Sequence, residues 1–409
     1  MAGVFFAMKI SIRQARTFLT IHETGSVTRA AKALNRAQTS VTKALQSLEA
    51  DLGVTVFERS HHGVELTPYG RVLLVGVEQA VAIFRRSVEL VPPINLSRSR
   101  TTARFFDMDV SEKWLDVFLA VIEHRELAVA AQALGVSTTA VSTSLRKFED
   151  SVATKLFERT ANGFIPTDLG ANLAANVKLA KNFLRHALDE ISSMQGTHTG
   201  KVVVGTLPLV RTSILPRAII ALLDEHPNID VETTEAPYPD LIAGLRCGDV
   251  DFLLGALREI DDDEGIVEES LFEEPLSIVV RVGHPLVKDR KPNWNELLRY
   301  KWVLPRHGTP TRALFEKSVS GKGEEVPQHV VETSSLVTLR GLLMNSDMLT
   351  VLSREQIAYE EEFNMLTILP VELPGTRRPI GVTRRRRGTI TPAAQLLIQQ
   401  VMASIRSIK

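Results

Sequence analysis

Cysteine is almost absent: Cys247 is the only one in 409 residues, so an internal disulfide framework and a cysteine-built zinc site are both excluded. That usage fits a reducing compartment, and the single thiol reads as a small buried hydrophobe rather than a reactive group. Long apolar runs are missing too. None reaches the ~18 residues that a membrane span requires, and residues 1–7 carry Phe5 and Phe6 without the basic stretch of a secretory leader. A cytoplasmic protein is expected, with Met8 available as an alternative start. Net charge is also lacking, because Lys plus Arg and Asp plus Glu both number 48, so any nucleic-acid surface must be local. The ten histidines have no metal-ligand spacing, and no nucleophile elbow, phosphate-cradling glycine loop or paired-cysteine motif occurs. No enzymatic chemistry, cofactor or metal is expected. What the chain does have is length and an ordinary soluble composition, 44% hydrophobic and 23% charged, enough for two to four domains.

It also repeats itself. At an offset of 100, Phe18-Leu19 pairs with Phe118-Leu119, Ala30-Ala31 with Ala130-Ala131, and Phe57-Glu58-Arg59 with Phe157-Glu158-Arg159. Residues 18–70 contain 17 identities in 53 positions without a gap, which points to a duplicated segment rather than chance likeness of two helical stretches. Each copy is large enough for its own small core, so a solenoid is not implied.

In the first copy Ser26 is suited to cap a helix running to about Leu34, and Asn35-Arg36-Ala37 breaks it. A second helix follows, in which Val41, Leu45 and Leu48 face inward. Gln38, Thr39, Ser40, Thr42, Lys43 and Gln46 then lie on or near an outer face that is short, polar and rich in hydrogen-bonding groups. Two helices joined by a three-residue turn, the second with a polar outer face, have the form that enters a DNA major groove; a generic helical hairpin is the plainer alternative. A two-stranded wing is expected next, from Val56 through a turn at His61-His62-Gly63 to Leu66, with Thr67-Pro68 starting a new helix. The second copy repeats the order, with its turn at Ala161-Asn162-Gly163 and its cap at Thr167. Its outer face offers Thr138, Thr139, Ser142, Thr143 and Arg146.

These residues resemble the LysR-type transcription regulators. The N-terminal signature of that family is matched by Phe18-Leu19, Gly25-Ser26, Ala30-Ala31, Leu34, Gln38, Leu48-Glu49, Leu52-Gly53, Leu66-Thr67 and Gly70, with Phe57-Glu58-Arg59 fitting its apolar-Phe-x-Arg element. The resemblance implies base reading by residues 38–43 and phosphate contact around His61 and His62. Two departures stand out: Ala37 replaces the usual cap serine, and Arg36 occupies a usually apolar turn position. The second copy keeps Gly135-Val136-Ser137 but has Thr138 where Gln is favoured and Thr143 where a cation is. Residues 9–76 hold nine Lys or Arg against five Asp or Glu (9 − 5 = +4), whereas residues 109–173 hold six against nine (6 − 9 = −3). The first copy is therefore expected to be the main reader of bases.

Each wing leads into a long helix. Leu173, Val177, Ala180, Leu184, Ala187, Ile191 and Met194 step by fours and threes as a coiled-coil seam, and Leu73, Val77, Ala80, Phe84 and Val91 form a weaker one interrupted by Ser87. A self-pairing seam predicts a homodimer, or a tetramer built from dimers; the alternative is that each stripe packs on its own winged domain. Pro92-Pro93 and a polar stretch over 95–104 separate the copies, giving domains at 8–92 and 109–199 with a linker at 93–108.

From Gly200 the pattern changes to alternating strands and helices, which predicts an α/β unit with a mainly parallel sheet. Leu215-Pro216, His226-Pro227 and the run 241–254 resemble the effector domain of the same family, with its two-lobed, periplasmic-binding-protein-like fold over 200–405. The resemblance puts lobe 1 at about 200–277 and 380–405, lobe 2 at about 278–379, and crossovers at 276–282 and 379–383. Val204-Gly205-Thr206-Leu207-Pro208 and the run 335–343 look most like the galactose-binding-protein regulator branch. Three helix starts, at Arg211-Thr212-Ser213, Thr309-Pro310-Thr311 and Thr333-Ser334-Ser335, are expected to face the interlobe cleft, where unpaired N–H groups favour carboxylate or hydroxyl oxygens. Leu207, Pro208, Arg211, Thr212, Arg258, Arg306, Thr309, Ser334 and Ser335 are thus candidate contacts for a small anionic or sugar-like effector, with His307 as a further charge partner. Arg384 to Arg387 read as a solvated strand end rather than a nucleic-acid patch. The expected whole is a multidomain, ligand-responsive regulator with double-stranded DNA and RNA polymerase as partners. Its alternative is a small-molecule binding protein whose winged domains serve dimerisation or protein interaction.

Overall fold

The computed structural model describes residues 10–60, 63–87, 110–258, 265–288, 291–386 and 390–406. The expected linker at 93–108, the wing-tip His61 and His62, the seam position Val91 and Arg387 lie outside these residues. Two compact units divide after Gly200, apart from short segments such as Arg246–Asp249 that group with the first.

The first unit contains the same run of elements twice. The first run is α1 (Ile12–Thr24), α2 (Val27–Ala33), α3 (Gln38–Leu52), β1 (Phe57–Ser60), β2 (Gly63–Leu66) and α4 (Pro68–Arg86). The second is α5 (Glu112–His124), α6 (Leu127–Ala133), α7 (Thr138–Val152), β3 (Phe157–Thr160), β4 (Gly163–Pro166) and α8 (Asp168–Met194). The repeated residues perform repeated work. Glu49 accepts from Val56 N at 2.9 Å, and Glu149 accepts from Leu156 N at the same distance, so one carboxylate ties α3, and another α7, to the start of its wing. Thr67 and Thr167 each cap the long helix by accepting from a glycine N, of Gly70 and of Gly170, at 3.0 Å. Those two glycines are required by closeness, because a Cβ on either would strike the carbonyl oxygen of Val56 or Leu156.

The stripes on α4 and α8 have a partner already. Gly76 of α4 lies so close to α8 that an added Cβ would stand 2.7 Å from the Ala187 Cβ and 2.8 Å from the Phe183 carbonyl oxygen. Ser87, the residue that interrupts the first stripe, accepts from Asn176 Nδ2 across the same helix pair at 2.9 Å. Since Gly76 meets residues near 187 while Ser87 meets 176, the helices run antiparallel. One apolar cluster joins Leu73, Val77 and Ala80 to Leu173, Val177 and Ala180. The expected seam thus closes within one chain rather than between two; a four-three stripe reports that a helix has a partner and not whose helix it is. Met194, the last seam position, is 44% exposed and outside the packed stripe.

The second unit has two lobes. The first carries β5 (Gly200–Thr206), α9 (Ile214–Glu225), β6 (Ile229–Thr234), α10 (Tyr238–Cys247), β7 (Phe252–Ala256) and β8 (Ile266–Glu274). The second carries β9 (Ser277–Arg281), α11 (Trp294–Leu297), β10 (Val303–Leu304), α12 (Pro310–Gly321), β11 (Val331–Glu332), α13 (Leu336–Met344), β12 (Thr350–Leu352), α14 (Ala358–Glu362) and β13 (Leu366–Ile368). Strand β14 (Arg378–Arg385) and helix α15 (Pro392–Arg406) return to the first lobe. Its five-stranded sheet has the order β6-β5-β7-β14-β8, with β5 parallel to β7 but β14 antiparallel to both neighbours. In the second lobe β12 and β13 flank β9, both antiparallel to it. The five-stranded sheet is therefore mixed and the three-stranded one antiparallel, so neither is mainly parallel. The expected crossovers also move: 276–282 is largely the central strand β9 and 379–383 lies inside β14. The two passing segments meet instead where Leu276 N donates to Thr376 Oγ1 at 3.2 Å, a buried bond that pins the lobes' connections together. The resemblance placed the crossovers a few residues off, within segments that pair as strands of the two lobes' sheets.

Among the described basic residues of 384–387, Arg385 donates through Nη1 to the Leu245 and Val250 carbonyl oxygens at 2.6 and 3.0 Å, so it serves lobe packing. Cys247 is half-buried rather than buried, its thiol donates to Asp249 Oδ2 at 3.3 Å, and burial with that carboxylate pushes its pKa up to about 11.

Candidate DNA-reading surfaces and effector cleft

On α3, Val41 and Leu48 are buried while Gln38, Thr39, Ser40, Lys43 and Gln46 are exposed, which sets the polar face outward as expected. Thr42 is half-buried and its hydroxyl donates back to the Gln38 carbonyl at 3.0 Å. Ser26 and Arg36 are half-buried; Ser26 stands at the N-cap of α2 without a side-chain cap bond. Ala37 leaves the first turn of α3 without a side-chain cap, whereas Ser137 caps α7 by accepting from Ala140 N at 3.2 Å. On α7, Thr138, Thr139, Ser142 and Arg146 are exposed and Thr143 is half-buried. Both wings are anchored to the turn before the second helix of their copy: Val64 N donates to the Gly25 carbonyl at 3.4 Å and Phe164 N to the Arg125 carbonyl at 2.7 Å. Gly25 is left-handed at φ 62°, and Arg125 holds the corresponding place at φ 57°, where a side chain carries a steric cost.

Between the lobes of the second unit lies a cavity of about 180 Å³. Leu207, Pro208, Arg258, Arg306, Thr309, Ser334 and Ser335 line it, seven of the nine expected residues. Arg211 and Thr212 are not brought there. The segment from Pro208 is a short 3-10 turn, so no free helix start forms at residue 211, and Ser213 gives its hydroxyl to Glu355 at 2.8 Å instead of capping α9. The Arg211 guanidinium is held by Thr206 and, at 2.9 Å, by Glu235. Thr309 caps α12 and Ser335 caps α13, so two of the three expected helix starts do face the cavity. His307 pairs with Glu316 and Glu332 at 3.6 and 3.2 Å.

The residue that sequence reasoning missed is Arg378. It lines the cavity from the start of β14, donates to Thr311 Oγ1 at 2.7 Å, and keeps its Nε buried with no hydrogen-bond partner. Burial lowers its pKa to about 10, opposed by the Glu274 carboxylate. In sequence it sits behind Arg377 after a glycine turn and looks like any solvated loop arginine. Arg258, also lining, stacks 3.7 Å above the Tyr238 ring, and burial lowers its pKa against the pull of Tyr238 and Glu268. Among the described residues no cluster of His, Cys, Asp or Glu could hold a metal, and no helix is long and apolar enough to cross a membrane.

Comparison with known proteins gives these surfaces a family. The model described as "Bacterial regulatory helix-turn-helix protein, lysR family" matches twice, at residues 12–71 and 113–171, and the LysR substrate binding domain matches residues 195–406. The HTH-type transcriptional regulator GalR of Pseudomonas putida is 38% identical over 398 residues, covering 97% of each chain. This chain belongs to the LysR family of transcription regulators. Among solved structures, a full-length OxyR variant from Pseudomonas aeruginosa aligns at TM-score 0.54 and 21% identity, covering 73% of this chain and 95% of that one. Full-length CbnR complexed with its target DNA aligns at TM-score 0.53 and 18% identity, covering 72% and 100%. Both are like this LysR-family chain in fold. They span less of it than GalR does.

Proposed function

We propose that this LysR-family regulator binds promoter DNA through its winged domains and responds to a small organic effector held between the lobes of its second unit. The observation that carries the reading is the matched pair of polar outer faces on α3 and α7, each on a helix whose other face is buried and whose wing is tied to an earlier turn of the same copy. Residues Gln38 to Lys43 and Gln46 read bases, Ser26 and Arg36 support them, and His61 and His62 lie against phosphate. Thr138, Thr139, Ser142, Thr143 and Arg146 do the second copy's share. The two copies arose by duplication of one segment. Arg258, Arg306 and Arg378, with capped helix starts at Thr309 and Ser335 and the adjoining Ser334, favour an effector with a carboxylate or several hydroxyls. The effector domain, on Val204 to Pro208 and the run 335–343, is of the galactose-binding-protein regulator kind. The protein works in the cytoplasm, makes no covalent chemistry, contacts RNA polymerase, and assembles into homodimers or tetramers through surfaces other than the α4–α8 seam.

Retention of duplex DNA by the purified chain at rising salt tests the reading. Neutralised phosphates release counterions, so log affinity should fall linearly against log salt, losing roughly ten- to a thousandfold between 50 and 200 mM for a few phosphate contacts. A salt-independent association, or none, would favour dimerisation or protein interaction as the role of the winged domains.

A further inference from the structure

In a two-fold interface, residue i meets j wherever the equivalent of j meets the equivalent of i. Equivalent positions in the two winged domains are 100 residues apart, so the bond from Asn176 to Ser87 requires a mate between residues 76 and 187. Gly76 against Ala187 is that mate. A residue that touches its own equivalent must stand on the axis, and Ile12 N donates to Glu112 Oε2 at 3.0 Å, a separation of 100 positions. Lys181 steadies the axis, reaching Asp116 at 2.5 Å and Glu112 at 3.7 Å. These contacts give the two described winged segments a local two-fold within a single chain.

We propose that the chain is a single-chain, two-headed DNA reader: α4 and α8 hold α3 and α7 as a two-fold pair that engages two unlike half-sites of one duplex without a second copy. The inference rests on the DNA-binding reading above. Two identical subunits would demand a palindrome, since operator symmetry mirrors protein symmetry. Here the heads differ. Gln38 and Lys43 suit adenine and guanine edges, while Thr138 and Thr143 are short and uncharged, and the balance of charge is +4 on the first copy and −3 on the second. The preferred site therefore has one strongly specified half and one loosely specified half, about one helical turn apart.

The test is selection of duplexes from a random-sequence pool by the full chain, followed by hydroxyl-radical footprinting and mass measurement of the complexes. Two protected segments per bound chain, roughly 10 base pairs apart, within an unsymmetrical consensus are expected. Replacing the specified half with a second copy of the loose half should weaken binding at least tenfold. Ser142→Glu with Arg146→Glu should erase only the loosely specified segment. One protected segment per chain, or a palindromic consensus read by α3 from two chains, would overturn the inference and leave DNA binding standing. Failure to retain any duplex at low salt would overturn both.

Discussion

The Arg378 guanidinium donates to Thr311 at 2.7 Å and to Ser353 at 3.5 Å, lies in the field of Glu274, and keeps a buried Nε without a hydrogen-bond partner. Buried ions are costly unless paired, so on the proposed reading a carboxylate of the effector would complete the bonding of Arg378. A panel of small carboxylates screened against the full chain by thermal shift should contain stabilising members. Arg378→Met should weaken those by roughly 10- to 100-fold, the worth of a charged hydrogen bond of about 1.5–3 kcal/mol. The unliganded variant should melt no more than a few degrees lower, because an under-bonded charge has been removed. Unchanged carboxylate affinity in Arg378→Met would remove it from the site. Residues of this kind are the least legible in sequence. Arg211 and Thr212 were expected at the cleft and Arg378 was not, and the 3-10 turn at Pro208 and the turn at Pro374-Gly375 before β14 account for the difference.

Helices α3 and α7 are elements whose fate was written in their pattern. Val41 and Leu48 face inward, Gln38 and Lys43 outward, and the same spacing recurs in α7, because an amphipathic helix on a small core has one way to lie. Strands in the second unit were harder: β9 and β14 read as connections, and the antiparallel β14 made the sheet mixed, since composition marks a strand as buried without giving its direction. At this scale the two copies can be weighed against each other. Good bidentate base contacts are worth about 1–3 kcal/mol each, so Gln38→Ala with Lys43→Ala should reduce specific DNA binding at least tenfold. Thr138→Ala with Thr143→Ala should cost clearly less at the same salt concentration. Equal losses, or a greater loss from the second pair, would mean that α7 reads sequence as closely as α3 does.

At the scale of the whole winged unit, the two copies act as one body only if the α4–α8 seam is tight. The sequence announced the stripes but not their closure within the chain, because nothing local distinguishes a partner 100 residues away from the same residue on another molecule. Gly76 is the position that decides how close the helices come: its added Cβ would stand 2.7 Å from the Ala187 Cβ, below van der Waals contact. A leucine there must push the helices apart, and overpacking of this kind costs about 1–3 kcal/mol. Gly76→Leu should therefore lower the melting temperature of the first unit by roughly 2–10 °C. Its effect on DNA should be larger than its effect on stability, because α3 and α7 lose their fixed spacing, and two heads that cannot engage together forfeit the gain in effective concentration that linkage provides. Val75→Leu, on the same helix but at a position 46% exposed, is the control and should leave both quantities unchanged. Calorimetry beside gel-shift titration at one salt concentration separates the two effects. If Gly76→Leu lost stability while binding DNA as tightly as the parent chain, the seam would be a packing contact and the two copies would reach the duplex independently.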